Sequence, residues 1–335
     1  MRLWDFFVQA PQVGASIGKA PIRLNDNAPM SEKLAARIAN GETGKFDAEL
    51  FSFIATDFLN GVQSAFKRSM NHADVRFAYG LQDDAFITAL EMNLFHFSAG
   101  KTLAEIQELN KAFRESGNFQ EFSKKAEQIC GTFNKTWQKT EYETAVLTAE
   151  SASNYHRLMG KTKMFPYWKY VTAGDEKVRE EHRKLDGVIL PANDPRWKKI
   201  FPPNGWKCRC RVVPLMKHEV EGIDINAMRA IVDEYLGTSE WKMNEAQGWD
   251  SNRGETAEVF SKNQHYIRKF PDKAASLLGD LHYNDYGLES FGKKAAAATE
   301  KAPVFAGDPN QWRDSHQVMD DYKGRKVQLT EEVFK

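Results

Sequence analysis

Phe46, Leu50, Ile54, Phe58, Val62 and Phe66 recur at every fourth position. That period lays an apolar stripe along one face of a helix, and such a face must be covered by other elements. The texture persists to about residue 160. Asp83 and Asp84 precede the run AFITALEMNLFHFSA, and Gly100 follows it, which predicts a second helix with a polar start and a glycine stop. Thr102 with Glu105, and Thr140 with Glu143, each match a capping box and predict two further helix starts. After Thr140, the residues Tyr142, Ala145, Ala149, Ala152, His156 and Met159 continue in steps of three and four. Residues 31–160 are therefore expected to form a helical bundle. The preceding 1–30, with Pro11, Pro21 and Pro29, read as an extended arm.

At Lys161 the pattern changes. Phe165 to Val171 is aromatic and β-branched and predicts a short strand. Asp175 to Lys184 reads as a short polar helix with Asp175 as N-cap and Gly187 beyond its exit. A loop rich in proline follows, and Cys208 to Leu215 resumes as a strand. Residues 161–220 are thus expected to form a small α+β unit. The stretch 221–292 is expected to be a helical extension, with one amphipathic helix from Asp224 to Leu236. Residues 293–335 read as an alanine-rich linker and the start of a further small domain, with a strand at Lys326 to Leu329. The fold class is α+β, mostly α.

Composition narrows the function. Lys+Arg and Asp+Glu both total 46, so no global basic field argues for nucleic acid. The start is too short and too polar for a signal peptide, and no stretch reaches the ~18 apolar residues of a membrane span. Three cysteines, Cys130, Cys208 and Cys210, form no disulfide framework and read as reduced thiols. No G-x-S-x-G, Walker loop or H-E-x-x-H is present, so no catalytic residues are assigned and the chain is expected not to be an enzyme. A nucleophile–base pair of Cys208 or Cys210 with His182 fits a Pro-bounded Cys-Arg-Cys badly.

The informative constellation lies in residues 167–215. Asp175 and His182 are two helical turns apart, and Cys208 and Cys210 flank Arg209 on the expected strand, where alternate residues share a face. Asp175, His182, Cys208 and Cys210 could together make a tetrahedral zinc site, although Cys-x-Cys replaces the finger spacing Cys-x2-Cys. The alternative is structural: Asp175 an N-cap, His182 a bridge, the cysteines small buried apolar groups. Beside this set, Arg196, Lys198, Lys199, Lys207, Arg209 and Arg211 occur with no acidic residue between Pro195 and Lys217, and with Trp197, Phe201 and Trp206 interleaved. Such a patch can meet phosphates or an acidic protein surface. The other reading is a solvated rim balanced by the nearby DEKVREE, and a protein contact is the expectation over both rim and DNA.

In order, Asp175, His182, Leu185-Asp186-Gly187, Pro202-Pro203, Trp206 and Cys208-Arg209-Cys210 resemble the Mu F-like minor head proteins of tailed phages, over roughly residues 45–215. The resemblance implies a minor head protein of a phage or prophage, active in head morphogenesis. It implies the portal protein and other head proteins as partners, and packaged DNA as a further one. It places the protein inside the virion head, and in the host cytoplasm during assembly, with no membrane role. Two other readings stand beside it. One is the carrier part of a phage-encoded toxin or nuclease effector, and the other is a zinc-dependent DNA-binding module.

Overall fold

The computed structural model describes residues 22, 24, 27–43, 46–70, 82–270, 318–320 and 326–328. The expected arm falls almost wholly outside these residues, as do the linker and the side chain of Phe66. The chain divides into two units, residues 1–292 and residues 293–335. In the second, β4 (Val318–Asp320) and β5 (Lys326–Gln328) pair antiparallel, with Val318 opposite Gln328.

The first unit begins with α1 (Met30–Ala39), α2 (Ala48–Met70) and α3 (Gln82–Arg114). Then α4 (Phe119–Gly131) runs through a π-helical segment (Thr132–Trp137) into α5 (Gln138–Met159). The stripe behaves as its period requires: Leu50, Ile54, Phe58 and Val62 are buried, packed with Leu94 and Phe97 of α3 and Ala145 and Ala149 of α5.

Two expected helix boundaries are absent. α3 passes straight through Gly100 and Thr102, and the chain is helical from Phe119 through Thr140 to Met159. Capping signatures act only where backbone N–H groups lack partners. In a helix interior a hydroxyl turns instead to the carbonyl four residues back. The Thr102 hydroxyl donates to Ser98 O at 2.9 Å, and Thr140, inside the continuous helix, accepts at its carbonyl from the Thr144 hydroxyl at 2.6 Å. The functioning cap is Asn118, whose side chain accepts from Glu121 N. Gly100 serves close approach, since a Cβ there would lie 3.0 Å from the Tyr266 carbonyl oxygen.

A charged pair lies inside this helical core. The fully buried Lys101 donates to Glu141 and, at 2.8 Å, to the Phe133 carbonyl of the π segment. Burial lowers the Lys101 pKa and raises that of Glu141, while each opposes the other's shift. Glu105, one turn along α3, accepts from Asn134 at 2.7 Å, and burial raises its carboxyl to about 7.

The α+β layer is a three-stranded antiparallel sheet in the order β2-β1-β3, from β1 (Tyr167–Val171), β2 (Ile189–Pro191) and β3 (Arg211–Leu215). Tyr167 faces Pro191 on one side and Leu215 on the other. Strand alternation buries Trp168 and Tyr170 of β1. Between the strands lie two single turns, α6 (Glu180–Arg183) and α7 (Trp197–Ile200). β2 and α7 were not foreseen in the proline-rich loop. Asp175 does not cap α6, which opens at Arg179 without a side-chain cap.

After β3, the Asp224-capped α8 (Ile225–Leu236) and then α9 (Ser239–Ala246) close the sheet's core with Val232, Tyr235 and Trp241. α10 (Arg253–Thr256) and α11 (His265–Lys269) follow. Val259, Phe260, Tyr266, Ile267 and Phe270 of this stretch join the helical core instead. Asn93 of α3 donates to Phe260 O and accepts from Phe260 N, both at 2.8 Å, and the Phe97 and Phe260 rings stack at 3.8 Å.

Two outcomes follow. Helix propensity alone would make Gly100→Ala stabilising by about 1 kcal/mol. Contact with the Tyr266 backbone makes it destabilising by about 1–2 kcal/mol net. A lowered urea midpoint is expected, and an unchanged or raised one would overturn the packing account. Glu105 holds its proton up to about pH 7 when folded but only to 4.5 when unfolded, so its contribution to stability falls as pH rises through that window. Glu105→Gln removes this dependence. The stability difference between variant and wild type should shift in the variant's favour by up to about 3 kcal/mol from pH 4 to pH 8. Parallel curves in urea titrations at the two pH values would refute it.

Candidate metal centre and the cationic face beside it

The turn α6 carries Glu180 and Glu181 at its start, where carboxylates favour the helix dipole. Leu185 and Val188 anchor the turn in the sheet's core, and the reversal at Gly187 has φ +81°. This presents His182 inward, 2% exposed. The facing segment, 204–210, is fixed to α5 by Lys207 N donating to Thr144 Oγ1 at 3.0 Å, with Lys207 itself at φ 54°. Cys208 and Cys210 lie just ahead of β3, and their sulfurs turn inward while Arg209 turns out.

His182 Nδ1 stands 3.7 Å from Cys208 Sγ and 3.6 Å from Cys210 Sγ. All three ligand atoms fall within 4.8 Å of one another. The other ring nitrogen, Nε2, is 3.1 Å from the Asn204 carbonyl oxygen. A carbonyl only accepts, so Nε2 carries hydrogen and donates to it, which leaves Nδ1 facing the sulfurs. The buried Asn204 side chain in turn accepts from the Tyr170 hydroxyl at 3.0 Å. The Cys210 thiol beside it, helped by His182, holds Cys208 well below the usual thiol pKa, while Cys208 and burial push Cys210 up. Burial and these sulfurs push Tyr170 up. Chemically, two sulfurs and an imidazole nitrogen suit a thiophilic cation. Cys130 is elsewhere, buried in the helical core beside Glu105, with its thiol pushed up chiefly by burial.

Asp175 stands apart from this cluster. Its two oxygens accept the Arg209 guanidinium fork at 2.6 and 2.7 Å, and that pairing lowers its pKa to about 2. The expected two-turn helix from Asp175 to His182 is a loop followed by one turn, so the shared face it would have provided does not form.

The cationic segment is largely neutralised by acids from four other parts of the chain. Arg196 pairs with Asp194 and Asp233, Lys207 with Glu143 at 2.9 Å, Lys199 with Glu245 at 3.8 Å, and Arg209 with Asp175. Lys198 and Arg211 are exposed and have no ion pair among the described residues. Trp197 and Phe201 are not surface anchors: both are buried against Trp168 in the sheet's core. Trp206 packs on Trp249 and Phe260. Asn204 and Tyr170 were missed by sequence reasoning, because an Asn in a Pro-Pro-Asn-Gly turn carries no local sign of its distant partners.

Residues 106–213 match the family described as Phage Mu protein F like protein. A Mu-like prophage F protein of Haemophilus influenzae is 36% identical over 194 residues, 48% of this chain and 47% of that protein. Protein F of Escherichia phage Mu, which carries a capsid-assembly name, is 30% identical over 152 residues, 39% of this chain and 34% of that protein. The chain thus spans half or less of the length of these relatives. No solved structure matches it. The matched stretch runs from within α3 to β3 and contains His182, Cys208 and Cys210, and over it the chain is similar to the Mu F-like phage proteins.

Proposed function

We propose that the chain is a minor, internal head protein that acts in capsid assembly through the portal. The observation that carries this reading is the Mu F-like stretch, together with the capsid-assembly name of its phage Mu relative. The role is structural, without hydrolytic activity of its own, and extends to DNA packaging and ejection. Its place is inside the virion head, and in the host cytoplasm before that. Among the described residues no helix is long and apolar enough to cross a membrane.

The contact surface is best sought among cations that the chain does not already use. Reversing Arg196 would break its own pairs with Asp194 and Asp233, and so would confuse folding with binding. Lys198, Lys199 and Arg211 are exposed, and among the described residues only Lys199 has an acidic partner, a long one. Such rim charges steer an acidic partner and set association rates. Phosphate contacts require the same cations, so strong salt dependence with DNA is the competing outcome.

The test is co-purification with the portal protein of the same phage. Native chain should bind, and Lys198→Glu, Lys199→Glu, Arg211→Glu together should weaken binding about tenfold or more. Unchanged binding by the triple variant would clear this face of the role. No binding by the native chain would remove the portal reading itself.

A further inference from the structure

From the geometry we infer that His182, Cys208 and Cys210 form a zinc site in which a single cation staples turn α6 to the segment leading into β3. This site stands independently of the head-assembly reading.

The distances carry the argument. In a tetrahedral zinc centre the Zn–S bonds are about 2.3 Å and the Zn–N bonds about 2.0–2.1 Å, so each N···S edge is about 3.6 Å. The two N···S distances here are 3.7 and 3.6 Å. Both sulfurs stand at the ligand-edge distance from the same ring nitrogen, the arrangement of ligands around a common centre.

The support around the ligands points the same way. Metal-bound histidines characteristically donate their second N–H to a carbonyl or carboxylate, which fixes tautomer and ring orientation. His182 does so to Asn204 O, and Asn204 is held by Tyr170. His182 and Cys208 are nearly inaccessible, at 2% and 4% exposure, so their ligand atoms are already stripped of solvent and pre-positioned. Asp175 is excluded as a ligand because Arg209 takes both its oxygens. The described residues supply three ligands, and a water molecule completes the tetrahedron.

The full chain, purified under reducing conditions, should contain about one zinc per molecule. After metal removal and titration with Co(II), it should develop a thiolate-to-cobalt charge-transfer band and the visible bands of tetrahedral cobalt. Asp175→Asn and Cys130→Ser should keep both the stoichiometry and the spectrum. Cys210→Ser should weaken cobalt binding by more than the roughly 10–100-fold that loss of an outer-sphere partner costs. Because the cobalt spectrum of the wild-type chain needs no variant to fold, it decides the matter by itself. Absence of the charge-transfer band, or cobalt bound without thiolate character, would overturn the site. Loss of the band in Asp175→Asn would overturn the three-ligand assignment.

Discussion

The buried face of β1 is the constraint on which the rest of the molecule depends. A three-stranded sheet cannot enclose a core alone, and this one acquires its core from its neighbours. Trp168 meets Tyr155 of α5 and also Trp197 and Phe201. Two residues along, Tyr170 reaches Asn204, and Asn204 reaches His182. One strand face thus seats the sheet on the helical layer and also aims the imidazole at the two sulfurs. Displacing Trp168 would disturb packing and ligand geometry together, because one short strand carries both.

The buried polar groups of the helical layer have a different physical character. Lys101, Glu141 and Glu105 sit where apolar side chains would cost less desolvation, and such ionic interiors seldom add net stability. What they can provide is a unique alignment of helices. Lys101 needs both Glu141 and the Phe133 carbonyl, and the π segment supplies that carbonyl between α4 and α5. A sliding of α3 against α5 by one turn would leave an ammonium buried without partners, whereas the apolar stripe would tolerate it. The π segment therefore reads as a register device, in keeping with the frequent occurrence of such segments at constrained places.

Long-period features were legible in the sequence, and local punctuation was not always so. The four-residue stripe of α2, the aromatic strand β1, the Asp224-capped α8 and the change of texture near residue 161 follow from periodicity and composition, which packing reinforced. Gly100 and the two threonine–glutamate pairs were misread as boundaries because their local chemistry is ambiguous. A glycine that stops one helix in isolation lets another chain segment touch it in a fold, here Tyr266. The cysteine–histidine grouping was visible as an ordered motif. Asp175 was grouped with it by helical spacing, and the missing helix removed the basis for that. The interleaved tryptophans looked like surface anchors because sequence order says nothing about which side of a turn faces inward. The acids that neutralise the basic run come from Glu143, Asp175, Asp233 and Glu245, separations at which charge patterning is blind.

The return of Phe260 to α3 bears on how this chain could be cut and joined. Sequence similarity marks residues 106–213 as a block, but the reciprocal pair between Asn93 and Phe260 encloses that block from both ends. Homology here measures what can be aligned, while cooperative unfolding is governed by what is mutually buried. A chimera that exchanged only the aligned block would keep the old strap against a new surface. It would carry an interface that was never selected as a pair, on the aromatic stack of Phe97 and Phe260. The heritable unit of shape in this molecule is longer than the unit of recognisable sequence, and the excess lies on both sides of it.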